Sequence, residues 1–143
     1  ITSAGALVRT LRGMGASKIA LVAPYKPELT SVVENYLSAE GFRTVRSISL
    51  SEPDNSKVAQ LNESKLVDHI TLLGEEPVDA VIASACVQMP SLRALGVVAS
   101  DFRVPVVSAA LCTAIEIASH LDLVRKDQVL SDVAKDLILG ANS

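Results

Sequence analysis

Four short apolar runs, separated by stretches of helical periodicity, are the feature that most constrains the fold of this chain. The runs are 18–22, 44–48, 78–83 and 104–107. The first and third are almost continuously apolar, as in strands covered on both faces, whereas the second alternates polar and apolar residues and suits a strand near an edge. Strands that alternate with helices form parallel βαβ units. We therefore expect an α/β fold, with a Rossmann-like four-stranded parallel sheet flanked by helices.

Six segments repeat apolar residues at helical spacing. They are 4–14, 28–39, 62–73, 90–99, 113–121 and 127–139. On the second of these, one predicted face carries Leu29, Val32, Val33, Tyr36 and Leu37. Gly15, Gly41 and Gly74 stand where the first three helices are expected to stop, because glycine is common just past a helix end.

The length of the chain fits one domain over residues 1–143, large enough for a hydrophobic core. Hydrophobic residues make up 49% and charged residues 20%, which is typical of a folded chain rather than a disordered one. The sequence shows no repeat, linker or low-complexity tract. Because it begins with Ile1 rather than Met, we expect a processed product or one half of a longer protein.

Composition argues against several classes of function. A net charge of −3 and 3% aromatic residues disfavour a nucleic-acid partner. No apolar run reaches the roughly 18–20 residues of a membrane helix, so no membrane partner is expected. Cys86 and Cys112 are far apart and outside any CxxC motif, which disfavours a disulfide scaffold or a zinc site and favours a reducing, cytoplasmic compartment. The glycine-rich motifs of nucleotide cofactors are also missing.

In such sheets ligands bind beyond the carboxyl ends of the strands, where helices begin. Cys86 stands at the end of the third run, where a helix N-terminus favours the reactive thiolate. The alternative is a small buried apolar residue. Cys112 is a weaker candidate, because it lies further into the segment after the fourth run, between Leu111 and Ile115.

Two polar residues at other strand ends are candidate ligand contacts. The Tyr25 hydroxyl, after the first strand, can donate a hydrogen bond to an anionic ligand, or else the ring packs on a surface turn. Asn55, in the polar loop after the second strand, can offer an amide to a carboxylate, or else it stabilises the turn. His69 and His120 are expected to be surface or capping histidines.

Residues 84–92, SACVQMPSL, resemble the second cysteine motif of the maleate cis–trans isomerases. These belong to the aspartate/glutamate racemase superfamily, of which arylmalonate decarboxylase is another member. Further segments resemble the same family: 1–8, 22–25 (VAPY), 53–55 (PDN) and 105–110. The resemblance covers a core over residues 1–123 and leaves 124–143 as a divergent C-terminal helical tail.

The resemblance implies the C-terminal half of a pseudosymmetric racemase fold and a mechanism without cofactor or metal. In such an isomerase a cysteine of the first half adds to the double bond of maleate, and rotation and elimination give fumarate. By resemblance, Cys86 is the second-half cysteine and acts as the acid/base partner. Tyr25 and Asn55 then hold a carboxylate of the small dicarboxylate substrate, beside the backbone N–H of Val87.

The first half of the family pattern, with its own cysteine, has no counterpart in the sequence. The expected partner is therefore a missing N-terminal half or a second copy of the chain. An amino-acid racemase or an arylmalonate-type decarboxylase remains an alternative, although the Val-Gln-Met run after Cys86 favours the isomerase. A non-catalytic domain that binds small carboxylates or associates with itself is a second alternative.

Overall fold

The computed structural model describes residues 1–51, 57, 62–84, 98 and 104–121. The helix predicted over 90–99 lies outside the described residues except for residue 98, and the helix predicted over 127–139 lies outside them entirely. So do Asn55, Cys86 and Val87, and the tail over 124–143.

Four parallel strands form one sheet, as the sequence predicts. They are β1 (Lys18–Ala23), β2 (Arg43–Ser49), β3 (Ala80–Ala83) and β4 (Val106–Ser108). Their order is β2-β1-β3-β4, so that β1 and β3 lie in the middle. β1 is buried from its second residue to its last and β3 is buried throughout, which explains why their sequences are continuously apolar. The predicted bounds of β3 and β4 were wrong by up to two residues.

Four helices are described around this sheet. They are α1 (Ser3–Gly13), α2 (Pro27–Ala39), α3 (Glu63–Gly74) and α4 (Ala109–His120). Thr2 caps α1, since its hydroxyl accepts the Gly5 N–H at 3.1 Å. Asn62 caps α3 in the same way, by accepting the Ser64 N–H at 2.9 Å. Side-chain oxygens at these positions satisfy backbone donors that the first turn of a helix leaves unpaired.

The predicted helix ends are confirmed in two of three cases. Gly15 and Gly41 lie just past α1 and α2 with φ of +70° and +95°, a conformation that residues with a Cβ rarely adopt. Gly74 is instead the last residue of α3, and Glu75 takes the capping position. The predicted start of the last described helix at residue 113 was also wrong. α4 begins at Ala109 because Ser108 ends β4 and caps the helix at once.

Side chains fill a core on each face of the sheet. On one face α1, α2 and α4 pack over β1, β3 and β4, and the largest fully buried side chains there include Leu11, Leu21 and Leu37. On the other face α3 packs through Leu66, Ile70 and Leu73. Two of the helices on the first face are joined at the surface as well: Arg9 of α1 pairs with Glu116 of α4 at 2.7 Å, and its guanidinium lowers the pKa of that carboxyl.

The buried face of α2 differs from the predicted one. Thr30, Val33 and Leu37, spaced three and four residues apart, face the sheet, and Thr30 is only 2% exposed. The buried face of α2 thus includes a polar threonine, which the apolar pattern did not assign to it. Three residues of the predicted face are exposed instead: Leu29, Val32 and Tyr36.

A carboxylate joins the amino ends of the two central strands. Asp79, just before β3, accepts the backbone N–H groups of Lys18 and Ser17 at 2.7 and 2.8 Å, and the Ser17 hydroxyl at 3.0 Å. These donors lower the pKa of Asp79, the Lys18 N–H most and the Ser17 groups after it. The Asp79 carboxylate therefore fixes the amino ends of the central strands, at the edge opposite to the one where the carboxyl ends of the strands meet.

Candidate functional site

The carboxyl ends of all four strands meet at one edge of the sheet, because the strands are parallel. The described residues at this edge are 23–26 after β1, 49–51 at the end of β2, 84 after β3, and 108–110 where β4 passes into α4. α2 and α4 both begin here, so that the positive ends of two helix dipoles face the same region. This edge is suited to an anionic ligand.

Tyr25 is held in the turn between β1 and α2. Pro24 before it is buried, Tyr25 is partly buried, and Lys26 after it is exposed. The Tyr25 carbonyl accepts the Ser51 N–H at 3.1 Å, and the Ala23 carbonyl accepts the Leu50 N–H at 2.8 Å. The turn that carries Tyr25 is therefore hydrogen-bonded to the residues that follow β2.

Ser51 adopts a left-handed backbone conformation, with φ of +57°. Such a conformation costs a residue with a side chain on the order of 1–2 kcal/mol. Strained residues of this kind concentrate at ligand-binding sites. Ser51 directly precedes the segment of the sequence that carries Asn55, four residues later, and is itself held beside Tyr25.

The hydroxyl groups of Thr30 and Ser49 connect the turn to the end of β2. Ser49 Oγ donates to Thr30 Oγ1 at 2.8 Å, and Thr30 Oγ1 donates to the Lys26 carbonyl at 3.3 Å. Lys26 is the N-cap of α2, yet its side chain makes no capping hydrogen bond. A lysine at this end also opposes the usual preference for acidic residues there. Its charge instead raises the positive potential at the edge.

The end of β3 lies directly beside the end of β1. Ala83 pairs with Val22 on one side and with Ser108 on the other, and the Ser84 N–H donates to the Val22 carbonyl at 2.8 Å. Ser84 is the last described residue before Cys86, which follows it by two positions. Ser84 thus lies at the carboxyl end of a central strand, two positions before Cys86 in the sequence.

Cys112 lies away from this edge in the core. It is the fourth residue of α4, is 0% exposed, and belongs to the apolar cluster that α1 and α4 form over the sheet. Ser108 caps α4 by accepting the Leu111 N–H at 3.1 Å and is itself 1% exposed. The Cys112 thiol is thus placed as a core side chain, not as a group that meets a ligand.

Of the residues singled out in the sequence, the structure describes Tyr25, at the predicted strand end, Cys112 in the core, and the two histidines. His120 is the last residue of α4, and its Nδ1 lies 2.9 Å from the Glu116 carbonyl oxygen, as expected of a histidine at a helix end. Sequence reasoning missed Thr30, Ser49 and Ser51. Only Thr30 left a signal, as a hydroxyl residue within the apolar face of α2.

A depression of about 420 Å³ lies elsewhere, at the opposite edge of the sheet. Its lining comes from the last turns of α2 and the first residues of β2, including Glu34, Ser38 and Arg43. Within residues 1–51, 62–84 and 104–121 no group of three metal-binding side chains comes together. The same described residues contain no helix long and apolar enough to cross a membrane.

Residues 1–133 match the family model described as arylmalonate decarboxylase. Among curated relatives, the maleate isomerase of Alcaligenes faecalis is 44% identical over 123 residues, which is 86% of this chain and 49% of that protein. The chain thus spans about half the length of the curated relatives that it matches.

Solved structures are similar over the same portion. The crystal structure of a maleate isomerase of Pseudomonas putida with maleate has a TM-score of 0.79 and 39% identity, covering 85% of this chain and 49% of that one. A variant of the Nocardia farcinica maleate cis-trans isomerase with a covalently bound succinylcysteine intermediate has a TM-score of 0.78 and 39% identity, covering 84% and 49%. The four-stranded α/β fold is therefore shared with these structures.

Proposed function

This chain belongs to the arylmalonate decarboxylase family, and from that premise we propose that it supplies one cysteine, Cys86, to a cofactor-independent cis–trans isomerisation of maleate to fumarate. The observation that carries the proposal is the 44% identity to a maleate isomerase over 123 residues, which include Cys86. The arylmalonate decarboxylase structures are only 23–26% identical. The isomerase is therefore the better supported activity within the family.

The proposed reaction needs two thiols on opposite faces of the double bond. The thiolate of the first cysteine bonds to one vinyl carbon, the π electrons move to the other carbon, and Cys86 donates a proton there. The product is a succinyl thioether, in which the former double bond is single and rotates. Cys86 then removes a proton, the C–S bond breaks, and fumarate and the first thiolate are released. Covalent and acid–base steps together divide one high barrier into lower ones.

The succinylcysteine in the Nocardia farcinica enzyme supports this chemistry. That intermediate has the composition expected of a cysteine added to maleate with one proton gained. It belongs to a protein that is 39% identical to this chain. By analogy, we assign the proton to Cys86 and the carbon–sulfur bond to a cysteine outside this chain.

The proposed role of Cys86 depends on its position in the sequence, two residues after Ser84. Two residues of chain span at most about 7 Å, and Ser84 is bonded to the end of β1. The proposal therefore puts the thiol above the centre of the carboxyl edge, near the first turns of α2 and α4. Positive helix ends stabilise the thiolate that Cys86 becomes after it donates its proton, and this thiolate is the base of the elimination step.

We propose that Tyr25, Asn55 and the Val87 N–H hold one carboxylate of the substrate. Tyr25 is at the turn after β1, and the loop of Asn55 begins at Ser51, which is bonded to the Tyr25 carbonyl. A hydroxyl, an amide and a backbone N–H are all donors suited to a carboxylate. Developing charge on the other carboxylate during addition is stabilised by the helix ends.

The first cysteine must come from a second body of protein. We propose a second half-domain of the same fold, because the curated relatives are about twice as long as the portion that this chain matches. Closure of one half against the other excludes water and brings the two thiols to opposite faces of the double bond. A second copy of this chain is the alternative partner. A reducing compartment, the cytoplasm in our proposal, keeps both thiols active.

The test is turnover by the protein as expressed from its gene, followed by proton NMR, in which the vinyl protons of maleate and fumarate give separate signals. We expect maleate to disappear and fumarate to appear in equal amount, without added metal or nucleotide. Parallel reactions contain an arylmalonate or L-aspartate. Loss of carbon dioxide or racemisation, in place of isomerisation, would move the assignment to the related activities. Binding of maleate without turnover would favour a carboxylate-binding domain.

A further inference from the structure

The turn that carries Tyr25 is tied to the end of β2 at three successive points. The Ala23 carbonyl accepts the Leu50 N–H, and the Tyr25 carbonyl accepts the Ser51 N–H. The third tie uses side chains and runs from Ser49 Oγ through Thr30 Oγ1 to the Lys26 carbonyl, over 2.8 and 3.3 Å. The carbonyl groups of Ala23, Tyr25 and Lys26 are therefore all hydrogen-bonded, so that the backbone around Tyr25 is fixed.

The Thr30–Ser49 contact takes a place that an apolar residue could fill. Thr30 is 2% exposed on the face of α2 that packs against the sheet, next to Val33 and Leu37 in the helical pattern. A buried hydroxyl is costly unless it is hydrogen-bonded. Here the Ser49 hydroxyl donates to Thr30 Oγ1, and the Thr30 hydroxyl donates to the Lys26 carbonyl. Valine, with the same shape, would pack there without that demand.

A backbone observation points to the same place independently. Ser51 adopts φ of +57°, and this turn of the chain directs its N–H to the Tyr25 carbonyl. Strain of this kind persists where the surroundings impose it. The strained residue and the hydroxyl pair of Thr30 and Ser49 flank the same three-residue turn, and both connect it to β2.

We propose that Thr30 and Ser49 are positioning residues, which orient Tyr25 toward the substrate carboxylate through the Lys26 carbonyl and thereby set the affinity for the dicarboxylate. This inference rests on the proposed function, in which Tyr25 and Asn55 hold the same carboxylate. The Tyr25–Ser51 hydrogen bond joins the two chain segments that carry them. At the other end of the Tyr25 turn, the Lys26 carbonyl accepts the backbone N–H groups of Leu29 and Thr30 at 3.0 Å, and the hydroxyl pair links this carbonyl to β2.

A residue that orients a carboxylate ligand affects the bound substrate and the transition state alike. Its loss therefore raises KM and leaves kcat nearly unchanged. A weakened hydrogen bond to a charged group corresponds to roughly a tenfold to hundredfold change. Since Tyr25 is displaced rather than removed, we expect the lower end of that range.

Four variants separate positioning from stability. Thr30→Val and Ser49→Ala each remove one hydroxyl of the pair, and Thr30→Ser retains it. Thr10→Val is the matched control, because Thr10 is also buried, at 7% exposure, but lies near the end of α1 that leads to the amino edge of the sheet.

In the protein as expressed from its gene, Thr30→Val and Ser49→Ala should raise the KM for maleate about tenfold, with kcat within about twofold of the parent. Thr30→Ser should restore the parent KM, and Thr10→Val should keep it. A KM for Thr30→Val and Ser49→Ala equal to that of Thr10→Val would overturn the inference. So would a fall in kcat without a change in KM.

The ring of Tyr25 is observable without turnover, because the chain has only two tyrosines, Tyr25 and Tyr36. In protein with ring-labelled tyrosine, Ser49→Ala and Thr30→Val should shift the Tyr25 NMR signal, while the Tyr36 signal serves as internal reference. An unmoved Tyr25 signal in both variants would overturn the positioning role. Absence of maleate turnover in the parent would instead contradict the proposed function, and the NMR result would still stand.

Discussion

The two cysteines should react with an alkylating agent at very different rates, because the fold buries one of them completely. Cys112 is 0% exposed within the apolar cluster between α1, α4 and the sheet. A reagent reaches it only after α4 separates from the core. Cys86, in our proposal, stands at the carboxyl edge with its thiolate stabilised by helix ends. We therefore expect limiting iodoacetamide at neutral pH to label Cys86 first.

The size of the effect follows from the free energy needed to expose Cys112. Removing α4 from α1 and β4 disrupts the core, so the opening approaches global unfolding, which for a small domain costs about 5 kcal/mol or more. Each 1.4 kcal/mol is a factor of ten. The Cys112 thiol in the folded chain should therefore react at least about 3,000-fold more slowly than the same thiol in the unfolded chain.

The assay compares each cysteine with itself. Peptides that contain Cys86 or Cys112 are quantified by mass spectrometry after timed labelling in buffer and in concentrated urea, where local sequence alone sets the rate. The native-to-unfolded rate ratio should exceed one for Cys86 and fall below about one thousandth for Cys112. A ratio near one for Cys112 would refute the burial argument. A Cys86 ratio below one would refute the activated thiolate.

Three further predictions test the fold. Leu11→Ala should lower the free energy of unfolding by about 2–5 kcal/mol in urea denaturation, because Leu11 is 0% exposed; Leu29→Ala, at an exposed site, should stay within about 0.5 kcal/mol. Gly41→Ala should cost about 1–2 kcal/mol from backbone strain alone, since an added Cβ meets no atom within 4 Å; an unchanged stability would contradict the left-handed turn. Asp79→Ala should lower the melting temperature at neutral pH. Since the folded pKa of Asp79 lies below its ordinary 3.8, the advantage of the parent is complete above that value and should vanish as pH falls through the folded pKa.

The architecture of the sheet could be predicted because burial on both faces leaves a direct trace in the sequence. β1 and β3 are continuous apolar runs, and no other arrangement accommodates them so readily as central parallel strands. The ends of elements were less accessible. α4 begins four residues earlier than its apolar pattern, because the hydroxyl of Ser108 caps it immediately after the strand.

The support of the candidate site could not be predicted, because it depends on contacts between distant segments. Nothing in the sequence around Thr30 shows that Ser49 lies 2.8 Å from it. The exposed apolar stripe of α2 misled for a related reason. Leu29 and Tyr36 continue the apolar pattern of the helix, but the sheet contacts only the adjacent face. Tyr25 was found because its place depends on local sequence, at the carboxyl end of a recognisable strand.

Of the two thiols in this chain, we assign the chemistry to Cys86 at the carboxyl edge, whereas Cys112 lies in the core. Turnover of maleate by the Cys86→Ala variant of the protein as expressed from its gene, measured beside the parent and Cys112→Ala, tests that assignment most directly. We expect formation of fumarate to fall at least about a hundredfold in Cys86→Ala, the contribution of a general acid–base group, and to persist in Cys112→Ala wherever that variant remains folded. A Cys86→Ala protein that converts maleate at the parental rate would contradict the account.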